Sequence, residues 1–229
     1  MIDEMEASLR PPAIPMAPYP AKFISLDSGE TMVVREASLD EVDTLLQAVA
    51  PLVKVERDFY DIVGARVYAE LLGWKRYRVR NPYCLVGVID GVLAGIVNGR
   101  LIDEKVAVSY HTLTLKRGAR VGSHLFAAKM EYHIEILKQD EVLIVAESPI
   151  GFRRWMETYN LDKKFEIQHE LGGAPSWTLT KANYYRTKAK LVAGTRPVPE
   201  KLMASTYPLK QPDLAALLAP APEKSKAKK

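Results

Sequence analysis

Residues 113–136 read Leu-Thr-Leu-Lys-Arg-Gly-Ala-Arg-Val-Gly-Ser-His-Leu-Phe-Ala-Ala-Lys-Met-Glu-Tyr-His-Ile-Glu-Ile, and this stretch decides the fold. The residues that lead into it alternate between apolar and polar, as in a strand with one buried face. From Val121 onward, apolar residues recur three and four positions apart, as on one face of a helix. That helical stripe consists of Val121, Leu125, Ala128, Tyr132 and Ile136. The stretch therefore predicts a strand, a short basic loop and a helix.

The loop between strand and helix, 117–123, carries two arginines and two glycines. The first backbone N–H groups of a helix have no partner within the helix and lie at the positive end of its dipole. Gly118 and Gly122 let a ligand or a neighbouring backbone approach closely, and Arg117 and Arg120 can pair with phosphate oxygens. The loop is thus suited to bind an anion, phosphate above all. A plain basic turn between two core elements is the alternative that the local pattern leaves open.

Two well-known phosphate loops do not match, because neither Gly-x-Gly-x-x-Gly nor Gly-Lys-Ser/Thr is present. The loop instead resembles the pyrophosphate loop of the GNAT superfamily of acyl-CoA N-acyltransferases, Arg/Gln-x-x-Gly-x-Gly/Ala at a strand-to-helix junction. Arg117 takes its first position and Gly122 its last, while Arg120 stands where the family has its middle glycine. This resemblance implies that acetyl-CoA is the acyl donor. The residues it implies for binding CoA are Leu113, Leu115, Arg117, Gly118, Ala119, Arg120, Val121, Gly122 and Ser123.

Composition bounds the class of protein. The 229 residues, 48% of them hydrophobic, can bury one sizeable core. The single cysteine, Cys84, excludes an internal disulfide and lies in an apolar run typical of a core. No apolar run approaches the roughly 20 residues that a membrane span needs, and no signal-peptide pattern is evident at the start. We therefore expect a cytoplasmic protein that does not enter the membrane.

Two terminal segments differ from the middle of the chain in composition. Residues 1–31 are rich in proline, which disfavours regular ladders, and they are predicted to form an arm. Residues 184–229 contain ten Lys and Arg against three acidic residues, so this tail has a net charge of +7. Because the whole chain has a net charge of +4, the residues before the tail sum to −3. We expect the tail to be largely flexible and dispensable for folding, with 213–218 as a short helix. The domain is predicted to span 32–183.

The order of elements is the second point of resemblance to the GNAT family. The predicted elements run β-α-α-β-β-β-α-β-α-β-β, which implies an α/β fold with a mixed, centrally splayed sheet flanked by helices. A two-residue turn at Asp90-Gly91 predicts a hairpin early in this order. The last two strands are predicted at 165–171 and 176–180.

Within such a fold the chemistry would be direct transfer of an acyl group to an amine, with one side chain as the base. His111 in mid-strand and Glu147 at the end of the next strand are the candidates for that base, although a packing histidine and a helix-capping glutamate are the alternatives. The family often carries Asn-x-x-Ala-x-x-x-Tyr on the following helix, where this chain has Ser148, Gly151 and Trp155. Tyr159, one turn later, could take the place of that tyrosine.

Two classes of function fit the sequence. The first is an acyl-CoA-dependent N-acyltransferase that acts on a small-molecule or protein amine. The second is a GNAT-like domain without catalysis that binds or assembles through its terminal arms, as a homodimer or with a protein partner. No metal site is expected, because the histidines are scattered and the cysteine is alone. Nucleic acid is an unlikely partner, since the tail lysines lack interleaved aromatic residues.

Overall fold

A computed structural model describes residues 2–145, 148–164 and 176–219. Eight strands in these residues form one sheet with the spatial order β1-β2-β3-β4-β5-β6-β8-β7. The strands are β1 (Lys22–Ser25), β2 (Thr31–Glu36), β3 (Pro82–Ile89), β4 (Val92–Leu101), β5 (Val106–Thr114), β6 (Glu141–Val145), β7 (Asp162–Lys163) and β8 (Ser176–Thr180). Neighbouring strands are antiparallel except β5 and β6, which are parallel.

Eight α-helices accompany the sheet in the described residues. They are α1 (Ile2–Ser8), α2 (Val42–Val49), α3 (Tyr60–Lys75), α4 (Val121–Glu131), α5 (Pro149–Tyr159), α6 (Lys181–Leu191), α7 (Glu200–Ala204) and α8 (Ala215–Leu218). A π-helical turn continues α4 through Tyr132–Ile136. No helix in the described part of the chain is both long and apolar enough to cross a membrane.

The predicted order of elements is confirmed from β2 to α5, and the last predicted strand corresponds to β8. The predicted turn is present too, since Asp90 and Gly91 both have positive φ angles, 51° and 79°, as a two-residue hairpin requires. The predicted strand at 165–171 lies outside the described residues, and β7 precedes it in the chain.

Helices cover both faces of the sheet. On one face, α2 and α3 pack against residues such as Val86 and Ile96. On the other, α4 packs against their strand neighbours Leu85 and Val97. Adjacent residues of a strand point to opposite faces, so β3 and β4 are buried on both sides and read as nearly continuous apolar runs.

The sheet opens between its two parallel strands. Among the described residues, β5 pairs with β6 from Val106 to Ser109, and β5 itself continues to Thr114. The register between β4 and β5 shifts in the same place: Gly99 is opposite Ser109, yet Val97 is opposite Thr112. Two residues of β5 therefore face one of β4, which is a β-bulge and bends the strand away from its partner. The bulge and the end of pairing together produce the central splay that the sequence predicts.

The N-terminal segment differs from the predicted arm. Lys22–Ser25 form the edge strand β1 on β2, so the sheet begins before residue 32. The prolines from 11 to 20 do lie outside any helix or strand, but Tyr19 at their end is buried against Tyr132.

The C-terminal segment corrects the expectation of a flexible, dispensable tail. Leu209 and Leu217 are buried in the cluster formed with α2 and α3. The guanidinium of Arg35, itself buried, donates to the hydroxyl and the carbonyl of Thr206. The short helix predicted at 213–218 is present as α8, but the sequence alone does not show that Leu217 and Leu209 pack onto residues more than a hundred positions earlier.

A buried cluster of charged side chains joins the N-terminal and C-terminal segments to α4. The Glu131 carboxylate accepts from Lys22 Nζ at 2.7 Å and from two nitrogens of Arg196 at 2.9 and 3.0 Å. Tyr19 donates its hydroxyl to the same carboxylate. Burial raises the pKa of this carboxyl group, but the bonds from Arg196 and the charge of Lys22 outweigh it and hold the pKa below its usual range.

Candidate active site

A cavity of about 470 Å³ lies where β5 and β6 part. Its floor is the second half of β5, one wall is α4 with the loop before it, and the other walls come from the start of α3 and from α5. The residues used below that line it are Asp58, Tyr60, Ser109, Tyr110, His111, Arg117, Gly118, Arg120, Gly122, Phe126, Lys129 and Trp155. A volume of this size suits a small-molecule substrate.

The loop at one end of the cavity has the backbone of an anion site. Arg120 is the N-cap of α4 and adopts a left-handed conformation with φ 56°, which explains why a glycine is favourable at that position. Its carbonyl accepts from the N–H groups of Ser123 and His124, so the N–H groups of Val121 and Gly122 precede the first helical bonds. Gly118 has φ 89° and no atom within 4 Å of where a side chain would begin. The loop is therefore open to a ligand on its outer side.

Gly122 has a different role from Gly118. A Cβ atom at this position would lie well under 3.0 Å from Thr114 Oγ1, closer than real Cβ atoms approach. The glycine thus lets the first turn of α4 lie directly on β5. It sets the distance between helix and strand, and with it the position of the helix N-terminus over the cavity.

The two arginines of the loop each have an acidic partner. Arg117 forms an ion pair with Asp58 and lies over the ring of Tyr60 at 5.2 Å from its centroid. Arg120 lies 3.7 Å from Asp27. The four side chains are between 32% and 75% exposed, so each ion pair contributes little stability and can be exchanged for phosphate oxygens.

The bulge places two ring side chains at the middle of the cavity. The Tyr110 and His111 rings stack with centroids 5.8 Å apart. Arg100 lies over the Tyr110 ring and is ion-paired with Glu70 of α3, so this pair of rings faces the α3 side of the sheet. His111 is 2% exposed, which puts its imidazole inside the cavity rather than in solvent.

A lysine occupies the opposite side of the same bulge. Lys129 of α4 is buried, and its Nζ donates to the carbonyl oxygen of His111 at 2.9 Å. Burial lowers the pKa of this ammonium group to about 7. Sequence analysis missed this residue, because a lysine within an amphipathic helix is ordinarily exposed and nothing in the local pattern marks it as buried.

The structure brings part of the predicted site together. Of the predicted residues, the cavity is lined by His111, Leu113, Arg117, Gly118, Arg120, Val121 and Gly122. Leu115 and Ala119 are buried in the two clusters on either face of the sheet instead. Ser123 accepts a hydrogen bond from Arg154 at 3.0 Å.

Of the two other predicted catalytic residues, only Tyr159 lies in the described part of the chain. Tyr159 is buried with Phe126 in the cluster beneath α5 and is not among the lining residues, so the structure does not bring its hydroxyl to the cavity. Trp155 does line the cavity and stacks on Phe126 at 3.9 Å between centroids. Glu147 lies outside the described residues. Within those residues, no group of three or more His, Cys, Asp or Glu side chains is arranged to hold a metal ion.

Comparison with known proteins shows similarity in structure alone. No protein-family model matches the sequence, and no curated protein gives a significant match. The chain is similar to the crystal structure of an uncharacterized protein from Bacillus halodurans, at 11% identity and a TM-score of 0.55, over 76% of this chain and 97% of that one.

Two further solved structures are similar to a lower degree. A PaiA N-acetyltransferase from Thermoplasma acidophilum in complex with coenzyme A gives 12% identity and a TM-score of 0.46, over 65% of this chain and 98% of that one. An aminoglycoside acetyltransferase in complex with coenzyme A and kanamycin gives 15% identity and a TM-score of 0.48, over 69% of this chain and 99% of that one. Identities this low show the fold and nothing finer. The mixed sheet, its one parallel pair β5–β6 and the strand–loop–helix junction agree with the GNAT-like fold that the sequence resemblance implies.

Proposed function

We propose that this protein is an acyl-CoA-dependent N-acyltransferase that transfers the acyl group directly to an amine. The observation that carries the proposal is the continuity of the cavity: its lining extends from the basic helix N-terminus, along the second half of β5, to His111. A donor with phosphates at one end and a thioester at the other matches that arrangement of charge and shape.

The residues at the loop fit the phosphates of CoA. Arg117 and Arg120 supply charge, and the backbone N–H groups of Val121 and Gly122 supply donors at the helix N-terminus. Phosphate oxygens would replace Asp58 and Asp27 as the partners of the arginines. The open space around Gly118 leaves room for the diphosphate.

The residues at the bulge fit the chemistry of the thioester. Beyond Ser109, no described residue of β6 pairs with β5, and we propose that backbone N–H groups on this side of β5 stabilise negative charge on the thioester oxygen. We propose that His111, which lines the cavity, accepts the proton that the amine loses as it attacks. Glu147, predicted at the end of the neighbouring strand, is the second candidate for this role.

Calorimetric titration with acetyl-CoA tests the binding step. We expect Arg120→Glu to weaken binding by roughly tenfold or more, because it removes one charge-assisted contact and adds repulsion. Arg186→Glu, an equal change of charge at an exposed position on α6, should leave the affinity unchanged. Equal affinities for both variants and the wild type would show that the loop does not hold the phosphates.

Turnover with a panel of primary amines tests the catalytic step. His111→Ala, or Glu147→Gln if that residue is the base, should lower the rate by roughly 10²-fold while CoA affinity stays the same. Binding of CoA without turnover on any amine would instead favour the binding module.

A further inference from the structure

We propose that Lys129 is a further catalytic residue of this acyl transfer, the general acid that protonates the departing sulfur of the acyl donor; this inference rests on the proposed function. Its starting point is an ammonium group in an unusual place. Lys129 is 1% exposed yet lines the cavity, and within the described part of the chain no carboxylate pairs with it. A buried charge without a counter-ion is costly, and such groups are concentrated at functional sites.

The hydrogen bonds of Lys129 leave it able to donate to a ligand. An ammonium group has three N–H donors. One goes to the His111 carbonyl at 2.9 Å, and the nearest other acceptor, the Asn98 carbonyl, is at 3.5 Å. At least one donor therefore has no close acceptor from the described residues. Because Lys129 lines the cavity, that donor can serve a molecule bound there.

The position of Lys129 relative to His111 suits a divided role for acid and base. The His111 ring stacks on Tyr110, toward α3, while the Lys129 ammonium reaches the same bulge from α4 on the other face of the sheet. An amine and a leaving sulfur occupy different sides of the carbonyl carbon during transfer. The bulge thus separates a proton acceptor from a proton donor by the width of one strand.

The proton balance closes with these two groups. The amine nitrogen forms a C–N bond to the carbonyl carbon, and its proton passes to His111. The C–S bond breaks, its electron pair stays on sulfur, and sulfur takes a proton from Lys129. His111 then loses its proton to solvent and Lys129 regains one, so the products are an amide and a free thiol with no net change in protons.

The acidity of Lys129 fits this step. Its pKa of about 7 lies below the roughly 8.5 of an alkyl thiol, so transfer to sulfur is favourable, and about half of the lysine is charged near neutral pH. Of the titratable groups around it, His133 is held neutral because burial lowers its pKa to about 3. Burial likewise raises the pKa of the Cys84 thiol, which stays protonated. His111, whose carbonyl it bonds, is the remaining titratable neighbour on the cavity side.

The first test needs binding only. Nuclear magnetic resonance of isotope-labelled lysine side chains should show one lysine that titrates near pH 7 and is lost in Lys129→Arg. Coenzyme A should shift that titration midpoint by roughly half a pH unit or more, and desulfo-coenzyme A, which lacks the sulfur, should not. Equal shifts with both ligands would overturn the inference and leave the proposed function standing. If calorimetry shows that coenzyme A does not bind at all, the proposed function fails and this inference fails with it.

The second test uses turnover of acetyl-CoA with hydroxylamine as the acceptor. Lys129→Met should lower kcat by roughly 10²-fold with little change in KM, and the decline in the wild-type rate above about pH 7 should disappear. Lys129→Arg is the matched variant: it keeps the charge and a donor to the His111 carbonyl but is too weak an acid to give up a proton. Wild-type kcat and an unchanged pH profile in Lys129→Arg would show that Lys129 only anchors the bulge. If neither variant folds, the binding experiment on the wild type decides.

Discussion

Gly122→Ala is the substitution whose effect follows most directly from the structure. The new methyl group would have to lie well under 3.0 Å from Thr114 Oγ1, where ordinary contacts are 3.4–4 Å. Threonine is stiff at χ1, so it cannot rotate its hydroxyl away without presenting its methyl group instead. Helix α4 must therefore move off β5, and we expect a loss of roughly 1–3 kcal/mol of stability, the usual cost of overpacking.

A double-mutant cycle with Thr114→Ala isolates this contact. Removing the hydroxyl makes room for the new methyl group, so the double variant should regain most of the stability that Gly122→Ala loses. Urea unfolding gives the free energies, and each kcal/mol should also appear as a shift of roughly 2–4 °C in Tm. A Gly122→Ala protein as stable as the wild type, or a cycle without coupling, would refute the packing argument.

The same cycle separates packing from ligand contact. If Gly122 serves only to seat the helix, coenzyme A affinity should fall in Gly122→Ala and recover in the double variant. Stability that recovers while affinity does not would show that the glycine is needed for approach of the phosphates. Thr114→Ser keeps the hydroxyl but lacks the methyl group, so it can rotate the hydroxyl away and should rescue both properties in part.

Three further predictions concern charge and the C-terminal segment. Asp58→Asn should raise the affinity for coenzyme A several-fold in calorimetry, because it frees Arg117 from its ion pair and removes the repulsion between the Asp58 carboxylate and the phosphates. Weaker binding would mean that Asp58 orients the arginine. Glu131→Gln should cost roughly 3–5 kcal/mol in urea unfolding at pH 7, since it leaves two cations without their carboxylate. The pKa of Glu131 is lower in the folded protein than the roughly 4.3 of the unfolded chain, so its carboxylate stabilises the fold above that value and this stabilisation is lost as the pH falls through the folded pKa. The difference in unfolding free energy between wild type and Glu131→Gln should therefore shrink below about pH 4. A difference that stays constant with pH would contradict this. Removal of residues 205–229 should lower Tm by several degrees, because burial of Leu209 and of Leu217 stabilises the fold by roughly 1.5–3 kcal/mol each, before the entropy cost of ordering the segment is subtracted. An unchanged melting curve would show that the tail is dispensable for folding.

Local patterns in the sequence were sufficient for the order of elements and for the loop. Helix α4 was predicted because Val121, Leu125, Ala128 and Tyr132 repeat at helical spacing, and all four are buried. The hairpin was predicted because only certain residues accept positive φ at both turn positions, as Asp90-Gly91 does.

Features set by contacts between distant residues could not be predicted in this way. The β-bulge depends on the register between two strands, which single-strand alternation does not record. Lys129 is buried because that bulge presents a carbonyl to it, so its burial follows from the bulge and not from α4. Edge strand β1 is only four residues long and follows a run of prolines, so its pairing with β2 had no local signal.

The buried guanidinium of Arg35 has a consequence for how this protein is made. Its partner Thr206 lies 171 positions further along the chain, and Lys22 likewise awaits Arg196 to complete the cluster on Glu131. On the ribosome, where a chain emerges from its N-terminus at roughly 5–20 residues per second, the first strands appear well before these partners. The nascent sheet would then hold Arg35 with Glu41 as a partner but without Thr206, and Glu131 with Lys22 but without Arg196. We expect these two clusters to close only after residues 196–206 have left the ribosome, which makes the shorter nascent chain the form most exposed to chaperones and proteases.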